Sequence, residues 1–527
     1  MNHEEIKKKQ KRVMIYVMII SLICVVGVSY AFFTAGMSSE TSTTVRADAG
    51  TMKITYDGGK EINLSGIYPK DDVWATKTIT VTGNNTTDAE MYYKLTLVVD
   101  SNTFKTDDPL QYELVSTNTS TNGEIIPNIT KTDITGTSIE LGSGHFVKAN
   151  NAKHTYLLKI YYPKKTTSQN ANQGAAFSAH VEITSAKAPK TNGKLSELVL
   201  YNNEVKTPIT APGKEVSTAS EALLASTPDD YGTSYYFRGA VKNNYVEFAN
   251  KCWRIVRVGG DGSVKLILHN DNTAKAANPC NSANNSTTAA FARYSGTTYK
   301  SAFNTNADDN AYVGFMYGTP GSSTYADTHA NTNKSTILTN LETWYNNNLK
   351  TYESVIDDNV WCNDKTNVTD TTYKPLWADV NGLGLGYGKN VTYYGATKRL
   401  VSTSDSAGGT GPSLKCNGEL SKINSKVGLI TADELAFAGY AYNIRNTVTY
   451  LKENTSGEWW SLSPSDYISI YANVWTVESY GTYFTTGLGG RGGRGVHDSC
   501  GVRPLISLKS TTNVTGNGSS DKPYKVV

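Results

Sequence analysis

The residues with chemical potential in this chain are six cysteines, seven histidines and one basic glycine run, "GLGGRGGRG" at 487–495. That run contains G-x-G-x-x-G twice, from Gly487 and from Gly490. A dinucleotide-phosphate turn needs a strand before it and a helix after it, whereas here the chain passes through Val496 to Pro504 into a strand-like end. The run therefore reads as a loop at the lip of a domain, with no cofactor. Arg491 and Arg494 could meet an anionic ligand there or remain solvated, and Tyr480 and Tyr483 supply flat amphipathic rings beside them. These four are the ligand-binding candidates.

Cys24 lies in an apolar run, which leaves Cys252, Cys280, Cys362, Cys416 and Cys500, all in the second half. An odd count allows at most two internal disulfides and one remaining thiol. Nearness in sequence favours Cys362 with Cys416, and then Cys252 with Cys280. No C-x-x-C occurs and no histidine stands close to a cysteine pair, so no zinc site is expected. Cys500 reads as a structural thiol, because no base or second cysteine adjoins it. His145, His154 and His180 stand singly in strand-like contexts, and His269, His329 and His497 are scattered. No catalytic, cofactor or metal residue is assigned. Asp261, in Gly259-Gly260-Asp261-Gly262, lacks the D-x-D-x-D-G setting of a calcium loop and reads as a turn residue.

The elements that must position these residues begin with an export segment. Lys7, Lys8, Lys9, Lys11 and Arg12 precede an apolar run at 13–33, and Ser29 and Ala31 have the spacing that a signal peptidase requires. Cleavage is expected between Ala31 and Phe32. The alternative is an uncleaved anchor, since the run is also long enough to cross a bilayer as a helix. Without the basic segment and its Glu4 and Glu5, the chain has 45 basic and 45 acidic residues. Nucleic acid is thereby an unlikely class of partner, because such binders keep a clustered basic excess. An exported chain also works where disulfides persist.

Residues 52–56, 77–82, 91–99, 110–115, 154–162 and 176–184 alternate or run apolar and β-branched between turn clusters, which predicts an antiparallel β-sandwich. Residues 188–230 loosen into Lys, Pro, Ser and Thr and read as a linker with a helical patch at 219–224. From Tyr231 onward, a hairpin about Gly259 to Gly262 is expected, with Trp253, Ile255, Val264 and Leu266 inward. One helix follows a Ser335 cap, and another opens at a Thr431/Glu434 capping box. The predicted class is mainly β with an α+β second domain. The divisions are 1–31 signal or anchor, 32–187 sandwich, 188–230 linker, 231–508 second domain and 509–527 a tail with one added strand.

The order "VGVSYAFFTAG", "ADAGTMKITYDG" and "INLSGIYPKDDVWATKTITVTGNNTTDAEMYYKLTL" resembles the camelysin and TasA family of exported biofilm-matrix proteins. The resemblance covers roughly the first hundred residues. It implies a jelly-roll-like sandwich, trimming by a dedicated signal peptidase, and polymerisation by donation of an N-terminal strand, here from residues 34–44. Members are also described as peptidases, but this chain has no H-E-x-x-H, so proteolysis is not carried over. The second half, through Trp459, Trp460, Trp475, Gly501, Arg503 and Pro504, resembles the C-type-lectin-like fold of formylglycine-generating-enzyme-like proteins. That family's cysteine oxidation needs a close cysteine pair, and Cys500 has none. The resulting expectation is a non-catalytic surface or matrix protein, secreted or membrane-anchored, that displays a lectin-like domain for a protein or glycan partner and has the capacity to self-associate. The alternatives are a fibre subunit without ligand, an enzyme on the formylglycine-generating-like scaffold, or a camelysin-like peptidase.

Overall fold

The computed structural model describes residues 43–48, 51–58, 61–85, 90–118, 122–185, 190–370, 372–373, 384–468, 470–478, 483–485 and 495–527. The segment read from the sequence as an export signal, with Ala31 and Phe32, lies outside these residues. No helix among the described residues is long and apolar enough to cross a membrane. The chain divides into two compact units, 1–188 and 189–527.

The first unit is two antiparallel sheets. Its strands are β1 (Thr43–Asp48), β2 (Thr51–Asp57), β3 (Ile62–Ser65), β4 (Lys70–Asn85), β5 (Met91–Asn102), β6 (Gln111–Ser116), β7 (Ile129–Asp133), β8 (Ser138–Phe146), β9 (Ala149–Tyr162) and β10 (Ala176–Ser185). One sheet runs β1-β2-β4-β9-β6-β7 and the other β3-β10-β5-β8. The strand period of two sorts the residues by face: in β5, Met91, Tyr93, Leu95, Leu97 and Val99 point inward while Tyr92, Lys94, Thr96 and Val98 are half-buried. These meet Ile79, Val81, Leu158 and Ile160 of the other sheet in one core. The β5/β8 register shifts at Leu95/Thr96, opposite Gly142. Gly142 has φ +127°, and a Cβ there would come within 2.7 Å of Ile126, so only glycine fits this bulge. All six expected strands are present, each longer or offset by a few residues.

The second unit is built on a hairpin. It contains β11 (Asn192–Lys194), β12 (Ala222–Pro228), β13 (Thr233–Gly239), β14 (Tyr245–Phe248), β15 (Lys251–Val258) and β16 (Val264–Asn270), joined in one sheet by the strands Leu505–Leu508, Asn513–Thr515 and Tyr524–Val526. Trp253, Ile255, Val264 and Leu266 are fully buried, as expected, but so are Cys252, Arg254 and Ile267 on the alternate positions. Both faces of the hairpin are covered. A second sheet joins Trp459–Ile468 to Tyr471–Glu478, flanked by Tyr483–Thr485, Cys500–Gly501, Lys300–Ser301 and Thr392–Tyr393.

The helices are α1 (Leu195–Asn202), α2 (Tyr325–His329), α3 (Thr336–Asn348), α4 (Gly395–Leu400) and α5 (Ala432–Ala438). The Ser335 hydroxyl accepts from Leu338 N and caps α3, which buries Ile337, Leu338, Leu341, Trp344 and Tyr345. Thr431 and Glu434 form the expected reciprocal capping box of α5.

Three expectations change. Residues 190–230 are not a linker: Leu195, Leu198 and Val199 of α1 and Leu224 of β12 belong to the main core of the second unit. The patch at 219–224 leads into strand β12, not a helix, because pairing with β13 from Ala222↔Gly239 to Pro228↔Thr233 outweighs the local helical preference. The tail carries two strands where one was expected. Asn513–Thr515 pairs with β11, and Tyr524–Val526 runs parallel to β14 with Tyr524 buried.

Candidate functional site

Turns and helix ends of the second unit bring ten charged side chains to one cleft. The turn after β12 supplies Asp229, Asp230 and the exposed Tyr231; β15 supplies Arg257, β16 supplies Lys265, and the turn between them supplies Asp261. Asp364, Arg399 of α4, Lys415, and Asp433 and Glu434 of α5 complete it, and the Cys362–Cys416 disulfide lines one wall.

The charges are paired with one another. Glu434 Oε1 accepts from Lys265 Nζ at 2.8 Å and from Arg257 Nε at 3.0 Å, while its other oxygen accepts from Thr431 N. Arg257 Nη1 reaches Asp229 Oδ2 at 3.1 Å, and Asp229 also takes the backbone N–H groups of Tyr231, Gly232 and Gly260. Arg399 forks onto Asp433 at 2.7 and 2.8 Å and binds Asp364 at 2.7 Å. Burial works to raise the Glu434 carboxyl, but the charges of Lys265 and Arg257 overcome it and hold it at about 2.

The enclosed space is only about 40 Å³, room for a few waters. The exposed side chains of the cleft lie at its rim. There Tyr231 is 58% exposed, beside Asp230, Asp261 and Lys415. Asp261 Oδ1 accepts from Ser263 N and Oγ, which makes it a turn residue as expected.

Both expected disulfides are formed. Cys252–Cys280 is buried, with Cα atoms 4.9 Å apart, and Cys362–Cys416 is half-buried at 5.5 Å. Cys416 N donates to Asp230 and Ser413 N to Asp433, so the wall carrying the bridge is tied to the ion pairs. Cys500 is buried and belongs to neither disulfide. Arg491, Arg494 and Tyr480 lie outside the described residues, and Tyr483 opens the strand Tyr483–Thr485 with only its backbone described.

The histidines are placed apart. His154 bonds the Tyr93 hydroxyl and Asn122 O inside the sandwich, His180 bonds Asp100 at 2.9 Å, and His145 sits near Glu90 and Glu124. His329 is buried against Gly386 O, and burial, then the charge of Lys365, pushes it down to about 3. Among the described residues, no three His, Cys, Asp or Glu side chains gather as a metal site.

Sequence reasoning had singled out Glu434 only as a helix cap and missed Asp229, Arg257, Lys265, Asp364, Arg399 and Asp433. The available signal was charge inside apolar strands, "CWRIVRV" and "VKLIL", since lone charges in buried strands require partners. No family model, no curated protein and no solved structure matches this chain.

Proposed function

We propose that this is an exported cell-surface or extracellular-matrix protein whose second unit is a non-catalytic, lectin-like binding module. The observation that carries the reading is the pair of disulfides, Cys252–Cys280 and Cys362–Cys416, because such bridges persist in an oxidising compartment and are rare inside cells. The basic segment and apolar run at the N-terminus agree with it, the membrane being crossed during export or kept as an anchor. In this reading the sandwich serves attachment or self-association, and the partner is a surface or matrix protein or a glycan.

The module meets its partner through exposed aromatic and polar residues at loop rims. Tyr231, Asp230 and Asp261 edge the charged cleft, and the Gly487 to Gly495 loop with Arg491 and Arg494 offers a second rim. Neutral charge balance in the exported part fits recognition by hydroxyl and amide groups better than capture of a polyanion.

The test is N-terminal sequencing of protein from medium and from washed cells, followed by array binding of residues 32–527 against glycans and matrix proteins. A start at Phe32, with binding reduced by Tyr231→Ala with Asp230→Asn or by Arg491→Ala with Arg494→Ala, supports the reading. Protein confined to the cytoplasm with reduced cysteines overturns it. Filaments formed by residues 32–187 under the electron microscope support the assembly role, and strict monomers at high concentration remove that part.

A further inference from the structure

The second unit has another cavity, of about 280 Å³ against about 40 Å³ in the charged cleft. That size is close to the roughly 300 Å³ at which small-molecule sites begin. Its lining comes from the end of β16 at Asn270 and from the loop that follows, as far as Arg293.

The loop is fixed before any ligand arrives. Cys280, in its middle, is bridged to Cys252 of β15. Asn270 Nδ2 donates to Asn284 O at 2.9 Å and Pro279 O at 3.2 Å, and Asn272 Nδ2 donates to Asn250 O at 2.9 Å and Ala276 O at 3.0 Å. The buried amides of the lining are thus spent on holding the loop. Its two charged groups are also engaged. Asp271 accepts from Lys251 Nζ at 2.8 Å, from Trp344 Nε1 at 3.2 Å and from Arg293 N at 3.0 Å. Arg293 Nη1 donates to Thr288 O at 2.6 Å and Nη2 to Thr288 Oγ1 at 2.8 Å. A cavity built in advance spares a ligand the cost of ordering it.

The exposed part of the lining is different. Thr273, Asn284, Asn285 and Ser286 are exposed there. Asn284 Nδ2 donates to Asn278 O at 2.8 Å, and Asn285 Oδ1 accepts from Asn454 Nδ2 at 2.9 Å. These bonds orient the two amides and leave one acceptor, Asn284 Oδ1, and one donor, Asn285 Nδ2, without a partner among the described residues. The hydroxyls of Thr273 and Ser286 are equally unengaged and work both ways. The same lining carries the methyl groups of Ala274, Ala276, Ala283 and Ala289. An ion would answer only half of this polar set, and an apolar molecule would strip water from the amides without replacing it. Sugar hydroxyls both donate and accept, and the C–H face of a sugar ring suits methyl groups. We propose that this cavity binds one uncharged pyranose unit of a glycan. The proposal rests on the reading of the second unit as a binding module and adds a ligand class and a place.

The experiment titrates the exported chain with glucose, galactose, mannose, N-acetylglucosamine and glucuronate, followed by saturation-transfer NMR and calorimetry. At least one uncharged sugar is expected to bind with a dissociation constant on the order of 1 mM. Ala274→Trp, at an exposed position, fills the cavity, and Asn285→Ala with Ser286→Ala removes two polar groups of the rim. In proteins still folded by circular dichroism, each change should weaken that sugar at least tenfold. Failure of every uncharged sugar at tens of millimolar, or glucuronate bound tenfold more tightly than glucose, overturns the proposal. So does a sugar retained by Ala274→Trp and lost with Tyr231→Ala, which would leave the binding-module reading standing while removing this cavity from it.

Discussion

Glu434 is the residue on which the charged cleft turns, since Lys265, Arg257 and the backbone of Thr431 all converge on its carboxylate. Removing one member of a buried ion cluster leaves the others charged and desolvated, so Glu434→Gln should cost about 3–5 kcal/mol in a urea titration. Its folded-state value near 2 lies below the ordinary 4.5. The stabilisation is therefore complete above about pH 4.5 and disappears as pH falls toward about 2, and acid titration of the variant should lack that phase. Asp466 has the opposite sign. Burial pushes its carboxyl up to about 7, against hydrogen bonds from Ser465 and Asn473. The wild type should lose stability as pH rises from about 4 through 7, because the unfolded carboxyl ionises first. Asp466→Asn should flatten that slope and raise stability at pH 8 by about 1 kcal/mol or more, measured by the pH dependence of the unfolding midpoint.

At the scale of elements, the signals that proved legible are local ones. The capping box of α5 and the Ser335 cap of α3 were readable because a hydroxyl three residues before its backbone donor is a short-range pattern. Thr431→Ala should cost about 1 kcal/mol from the cap alone, and more if Glu434 is released from its pose. The misread stretch at 190–230 shows the converse. Nothing in its composition reveals that α1 and β12 pack into the core: β12 pairs with β13, its neighbour in sequence, but β11, just before α1, is held by the strand Asn513–Thr515 at the far end of the chain. The two disulfides also differ as elements. Cys362–Cys416 is half-buried and Cys252–Cys280 buried, so mild dithiol treatment should open the first and spare the second, as mass spectrometry of alkylated peptides would show. Replacing Cys362 and Cys416 by Ser should cost about 2–5 kcal/mol.

For the whole molecule, each unit has its own core, Ile79 to Ile160 in the sandwich and the cluster about Trp253, Trp344 and Trp459 in the second unit. Units with separate cores are expected to fold separately. A fragment of residues 189–527, made under oxidising conditions, should unfold in one cooperative step at a temperature close to that of the corresponding transition in the full chain. A fragment starting at Tyr231 should be markedly less stable, since it lacks α1 and β12, and differential scanning calorimetry of the two fragments compares them directly.

The sequence by itself determined the alternating strands of the sandwich, the hairpin about Gly259 to Gly262 and both capped helices, all of which rest on patterns spanning a few residues, and it favoured the two cysteine pairings on nearness alone. Tertiary structure alone decided where the charges go. Arg257 and Lys265 on a central hairpin, Asp364 in a loop, Arg399 on α4 and Glu434 on α5 are separated by up to 177 residues in the bond from Arg257 to Glu434. No periodicity encodes such a meeting. It is enforced by the cost of burying each charge without its partner, and that cost exists only once the two faces of the hairpin are covered.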